Sequence, residues 1–314
     1  MSERSSSGRG AVARAAGDRG ATTGKAATDP DFLVVGHVVQ DLLDDGWRAG
    51  GAVTYAGLLA RNLGLRTAVL TSCSDEFPIE DHLPGIDVRR VASDESTQIR
   101  NVYTPEGRKQ WVPRRASRIT ARDLPDEWRE PSVVLLGPVA GEVDADIANA
   151  FRGSLIGVGV QGWLREIGPA DEVSPIAPDQ WDSGLLLAAA DALFVSEEDL
   201  PAEDVQRTVA DWSRKVPIVA LTRGDGGAEV CYRGEWRRIG AFPANAIDAT
   251  GAGDIFAAAF LIRYHETSDP WEAARFASAA ASCVIEAEGT ALVPDREQIE
   301  ARLANHPDIV AGGV

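Results

Sequence analysis

NAIDATGAGDIFAAAFLIRYH, Asn245 to His265, sets Asp248 and Asp254 around two glycines and then runs into a small, apolar segment with the composition of a buried helix. A turn alone needs one glycine, and a buried helix does not ordinarily want an acid in its first turn. Gly251, Ala252 and Gly253 stand where that helix starts, so their backbone amides and the positive end of the helix dipole suit an anion. The glycines permit close backbone approach or unusual φ. If the anion is a phosphoryl group in transfer, Asp254 beside it has a task as the base that takes a proton from the attacking hydroxyl. The plainer alternative is an ordinary turn followed by a dipole-compensating acid.

Outward from this stretch, the chain alternates short apolar runs with helical ones. The runs 31–39, 67–73, 132–139, 154–161, 192–197 and 217–224 are rich in Val, Ile and Leu and bounded by Gly, Pro or Asp. Their apolarity is continuous rather than alternating, which predicts strands buried on both faces of a parallel sheet. Helices are expected between them at 52–64, 144–153 and 201–215, giving a doubly wound, mainly parallel α/β sheet as one domain over 31–314. In such a sheet, ligands collect at the carboxyl ends of the strands. Two stretches break the pattern. Residues 96–115 read as a polar hairpin around TPEG, a flap outside the main sheet, and 227–242 read as an antiparallel edge hairpin. The stretch 1–30 lacks hydrophobic periodicity and reads as a disordered leader without a secretory h-region.

Composition narrows the function. A net charge of −17 argues against a nucleic-acid partner. No apolar run reaches the roughly 20 residues of a membrane span. Three widely spaced cysteines, Cys73, Cys231 and Cys283, fit neither a disulfide framework nor a zinc ribbon and suit a reducing cytoplasm. GATTGKA in the leader has one residue too few between Gly20 and Gly24 for a phosphate loop, and GHVVQD stands where a dinucleotide fingerprint would follow the first strand.

DATGAGDIFAAAF resembles the C-terminal signature of the ribokinase-like, or PfkB, carbohydrate and nucleoside kinases. The resemblance implies an α/β fold with a small β lid and transfer of the ATP γ-phosphate to a hydroxyl of a sugar, inositol-like polyol or nucleoside. Gly251, Ala252 and Gly253 would then form the anion hole, with Asp254 as catalytic base. VVGHVVQD places Asp41 where the family binds substrate hydroxyls. GGAVTYAGLL makes Gly50 and Gly51 a lid hinge and puts Tyr55 where ribokinases contact substrate through Asn. SEED, Ser196 to Asp199, falls at the family's magnesium motif, with Asp199 or Glu198 reaching Mg2+ through water. LTRGDGG supplies Thr222, Gly224 and Gly227 as a nucleotide loop, and Gly289 in EAEGTALVP closes the pocket by the adenine.

The chain departs from the family in places. Ala249 replaces the usual Thr, which unsettles the monovalent-cation (K+) site often found beside this loop. The stretch from Leu42 to Ala49, between Asp41 and Gly50, is too short for a multi-strand lid. With Tyr55 and SEED, this leans toward the inositol-kinase-like branch. Arg165 in VQGWLREIG reads as a surface residue or a phosphate ligand, with the surface reading preferred. Arg100, Tyr103, Arg108, Lys109 and Gln110 lie on the flap. The expected state is a monomer or homodimer. The competing reading is a sugar or nucleotide sensor without catalysis on the same fold.

Overall fold

Alternate residues of FLVV at 32–35 enter different cores. Phe32 and Val34 join one apolar cluster, while Leu33 and Val35 join the other. Such a strand belongs in the middle of a sheet covered on both faces. The computed structural model describes residues 29–104 and 107–313. The expected leader up to residue 28, the flap tip at 105–106, and the side chains of Tyr103 and Arg108 lie outside the described residues.

The chain begins with β1 (Phe32–Val35), β2 (Val39–Leu43), β3 (Gly46–Gly50), α1 (Ala52–Asn62), β4 (Thr67–Cys73), α2 (Ile79–His82) and β5 (Asp87–Ala92). It continues through β6 (Thr97–Thr104), β7 (Gly107–Arg114), β8 (Val133–Leu136), β9 (Leu155–Gly159), β10 (Arg165–Ile167) and β11 (Val173–Pro175). Then come α3 (Gly184–Ala189), β12 (Ala192–Ser196), α4 (Val205–Ser213), β13 (Ile218–Thr222), β14 (Ala228–Tyr232) and β15 (Glu235–Ile239). The chain closes with α5 (Ala252–Thr267), α6 (Pro270–Val284), α7 (Arg296–Asn305) and β16 (Gly312–Gly313).

The main sheet runs β16-β15-β14-β13-β12-β9-β8-β1-β4-β5, parallel from β13 to β5 and antiparallel from β13 to β16. Helices α1, α5 and α6 cover one face and α3 and α4 the other. This is the doubly wound, mainly parallel α/β architecture that the alternating pattern predicts. Strand order reverses between β1 and β8, and the carboxyl ends beside such a reversal are where open α/β sheets place a ligand crevice.

Several expectations change. The run 31–39 is not one strand. At Gly36 the chain meets Gly137, where a Cβ would stand 2.3 Å from the Gly137 carbonyl oxygen. It then leaves the sheet, with the His37 amide donating to Glu142 at 2.9 Å and the Val38 amide to Thr71 at 2.7 Å. Residues 144–153 form only a 3-10 turn at 145–150 rather than a helix, and α4 starts at 205 after turns. The lid is not too short for several strands. β2 and β3 form a hairpin, and β2 pairs in parallel with β6, so the flap hairpin 97–114 completes a four-stranded sheet β3-β2-β6-β7. The spacing between Asp41 and Gly50 could not show this, because half of the lid comes from a segment that follows β5, beyond two strands of the main sheet.

Two buried polar groups fix the root of the lid. Glu142, 3% exposed, accepts from the amides of His37, Val139 and Ala140. His37 is fully buried, with Nε2 2.8 Å from the Ser117 carbonyl and Nδ1 2.7 Å from the Thr97 hydroxyl, which itself accepts from the Ala116 amide. Satisfied in this way, they hold the crevice rim rather than waiting on a ligand.

Candidate active site

Helix α5 carries Asp254, and its depth in the fold follows from one small residue. Gly157 of β9 lacks a side chain where a Cβ would stand 2.3 Å from a methyl of Leu261, so the helix lies close on the middle of the sheet. Gly251 caps the helix in the left-handed region, φ 79°. A Cβ there would lie 2.4 Å from the Tyr55 ring, so this position needs glycine twice over. At Gly253, by contrast, a Cβ would meet open space, which leaves room for a ligand.

The cradle is sharper than the residue pattern shows. The Ala252 amide is taken by the Ala249 carbonyl at 3.2 Å and the Ile255 amide by Gly251 at 2.9 Å. Between them, the amides of Gly253 and Asp254 meet no acceptor among the described residues, and both lie at the positive end of a 16-residue helix.

Burial pushes the Asp254 carboxyl up to about 7, with Asp199 and Asp41 adding to the rise and Arg165 opposing it. A carboxylate in this range near neutrality suits a general base. Arg165 is thus no free surface arginine, since its charge acts on Asp254 and its Nη1 donates to the Val139 carbonyl at 2.9 Å. The surface preference failed because the sequence does not show that Arg165 at the start of β10 reaches the loop that follows β8. Its neighbours divide differently. The Trp163 indole donates to Val143 at 3.0 Å and stacks on Trp181, whereas Gln161 donates to Asp199 at 3.0 Å.

Across the crevice, the lid presents Asp41, 7% exposed, on β2. A Cβ on Gly50 would lie 2.0 Å from an Asp41 carboxylate oxygen, so the carboxylate lies directly on that glycine. Gly51, φ 85°, then starts α1 and joins the lid to the core. Tyr55 on α1 is 1% exposed, and its hydroxyl has no hydrogen-bond partner among the described residues. Burial raises its pKa, and Asp41 adds to the rise.

Arg48, which the residue patterns did not single out, faces Asp41 in the β2–β3 register. Its Nη2 lies 2.6 Å from Asp248 Oδ2 and 3.4 Å from the Thr250 hydroxyl. The register opposite Asp41 was the available signal, but it requires knowing that 39–50 is a hairpin. Asp248 has no spare acceptor. Oδ1 takes the Thr250 amide at 3.0 Å and hydroxyl at 2.6 Å, while Oδ2 takes the Gly289 amide at 3.0 Å as well as Arg48. Burial pushes its carboxyl up, but these hydrogen bonds and the Arg48 charge outweigh that and hold it below the usual carboxylate range.

Toward the donor end, Thr222 closes β13 beside Ser196 of β12, with Gly224 and Gly227 following in the turn to β14. Gly289, φ 53°, lies against the Arg48 side chain. Asp199 Oδ2 accepts from the Ser196 amide at 3.1 Å, so with Gln161 on Oδ1 it suits a metal through water rather than directly; Glu198 is exposed. Among the described residues, no group of three or more His, Cys, Asp or Glu side chains gathers to cage a metal. On the lid, Arg100 and Lys109 are exposed, and Gln110 donates to Asn101 at 2.5 Å.

The sheet, the four-stranded lid and the crevice between them define a ribokinase-like α/β protein. A pyrophosphate-dependent kinase of the ribokinase family, solved with a pyrophosphate analogue and myo-inositol, superposes with a TM-score of 0.72 over 86% of this chain and 99% of that one, at 24% identity. Residues 172–296 match the pfkB family carbohydrate kinase model. It is 26% identical over 300 residues to the nucleoside kinase of Methanothermobacter thermautotrophicus, covering 85% of this chain and 93% of that protein. Against the cytidine kinase of Thermococcus kodakarensis, identity is 25% over 263 residues, or 74% and 88% of the two chains. No helix among the described residues is long and apolar enough to cross a membrane.

Proposed function

We propose that this protein transfers the γ-phosphoryl group of ATP to a hydroxyl of a sugar, polyol or nucleoside. The observation that carries the reading is Asp254, whose carboxyl is raised to about 7 beside two amides open to an anion. An acid at an anion site costs binding energy unless it removes a proton there. The acceptor hydroxyl would lie between Asp41 and Asp254, with Asp41 orienting the substrate and Asp254 taking its proton. The amides of Gly253 and Asp254 hold the charge of the transferred group, and Arg165 shares it. Magnesium supplies charge neutralisation on the donor phosphates when bound, and Asp199 is the residue that would order its water. Catalysis, rather than sensing alone, is favoured because the raised carboxyl stands beside amides open to an anion, a pairing that removal of a proton from an attacking hydroxyl uses and binding of a neutral polyol does not need.

A donor-and-acceptor panel tests this directly. ATP consumption that depends on an added sugar, polyol or nucleoside supports it, and inactivity across all acceptors sinks it. ATP is chosen over pyrophosphate because Ile247, in the loop just before the open cradle amides, is 64% exposed and offers an apolar surface to a base. An Ile247→Glu variant is expected to raise KM for ATP by roughly tenfold while leaving any pyrophosphate turnover unchanged. Equal effects on both donors would remove the base-contact role.

Tyr55 makes a second expectation. A buried hydroxyl without a partner costs about 1–3 kcal/mol, and a substrate hydroxyl would relieve it. Tyr55→Phe should therefore unfold at the same temperature as the parent or higher, while KM for the acceptor rises roughly tenfold with kcat little changed. An unaltered KM would mean that the hydroxyl does not face the acceptor.

A further inference from the structure

We infer that Arg48 is the resident cation of the phosphate-cradle loop, a positioning residue that stands in for any monovalent cation and ties the lid to the loop. The inference rests on the cradle reading above, but its test reads ion binding and unfolding rather than turnover.

Four observations converge on it. Asp248 accepts three hydrogen bonds, from the Thr250 amide and hydroxyl and the Gly289 amide, and Arg48 lies beside its Oδ2 as an ion pair at 2.6 Å. A potassium ion needs several oxygen ligands, and here it would have to displace that guanidinium from Oδ2. The pair is not a loose surface contact, since the two side chains are 27% and 13% exposed. The Arg48 stem is also seated. A Cβ at Gly289 would stand 3.2 Å from its Cδ, and Gly289 itself donates to the same carboxylate.

The placement has a consequence for the site. Arg48 belongs to lid strand β3, whereas Asp248 and Thr250 belong to the loop that leads into α5, at the far end of the chain from the lid. An external ion would order the loop whether the lid is open or shut. A guanidinium on the lid orders it only when β3 lies over the loop, so cradle assembly follows lid position. Arginine suits this because its guanidinium stays charged, and here one nitrogen, Nη2, lies 2.6 Å from the carboxylate and 3.4 Å from the Thr250 hydroxyl.

Thermal unfolding in potassium chloride against choline chloride at equal ionic strength gives the first arm. The parent is expected to unfold within about 1 °C in the two salts, as binding linkage requires when no site takes the ion. Arg48→Met should unfold roughly 3–8 °C lower in choline and recover at least half of that loss in millimolar potassium or guanidinium. Arg48→Lys should fall between the two, keeping the charge but not the fork. Thallium-soaked crystals give the second arm, with an anomalous peak at Asp248 in Arg48→Met and none in the parent. Potassium-specific stabilisation of the parent, or a thallium peak at its Asp248, overturns the inference. So does an Arg48→Met variant with the parent's salt response. If that variant does not fold, the parent's two arms still decide.

Discussion

Asn in place of Asp254 should lower turnover by roughly 10²–10⁴-fold while leaving donor affinity within a few-fold of the parent, because only proton removal is lost. In the parent, kcat/KM should rise with pH and level off above about 7, where the carboxyl is ionised. That limb should be absent from the residual activity of the variant.

The same group makes an independent stability prediction. Its pKa rises from 3.8 unfolded to about 7 folded, so between those values the folded chain holds a proton that the unfolded chain releases. Stability from this group is therefore present below about pH 4 and is lost as pH climbs to about 7. Each unit is worth about 1.36 kcal/mol, and partial solvent contact reduces the sum to about 1–3 kcal/mol. Asp254→Asn should accordingly unfold a few degrees above the parent at pH 8, with the gap closing toward pH 4. A variant less stable at pH 8 would show that the carboxyl is not strained, and one with near-normal turnover that it is not catalytic.

The second large effect separates two glycines that look alike in sequence. Gly251→Ala must place a Cβ 2.4 Å from the buried Tyr55 ring at φ 79°. Left-handed backbone costs an alanine about 1–2 kcal/mol, and overpacking adds about 1–3 kcal/mol. The ring has nowhere to retreat, so unfolding should move down by roughly 5–15 °C, and activity should fall at least 100-fold as the cradle shifts. Gly253→Ala meets open space and has an ordinary helical backbone. It should unfold no earlier than the parent, yet lose roughly tenfold or more in turnover, because its methyl enters the space left for the anion. Full activity in Gly253→Ala would move the anion elsewhere.

Much of the fold was legible without coordinates. Parallel strands buried on both faces must be continuously apolar, and six of the main-sheet strands announced themselves in that way. The helix at 252–267 could be placed because glycine, acid and small apolar residues at that spacing have few other uses. Half of the lid was legible, since 96–115 read as a polar hairpin outside the main sheet and β6–β7 form it. The β2–β3 hairpin was not, because its strands are five residues each and its place in the lid depends on β2 pairing with β6 across residues that belong to the core.

What the sequence determined by itself is local: strand against helix, the helix start at Gly251 to Gly253, and the acid beside it. Those follow from propensity and backbone freedom over a few residues. Only the tertiary structure decided what depends on distant partners. It brought the charge of Arg165 within electrostatic reach of Asp254 and paired Asp248 with Arg48, about 200 residues away along the chain. It also made Gly251 obligatory through a tyrosine on another helix. The physical reason is that charge and close packing act through space, and spacing along the chain carries no record of which remote side chain will fill the gap.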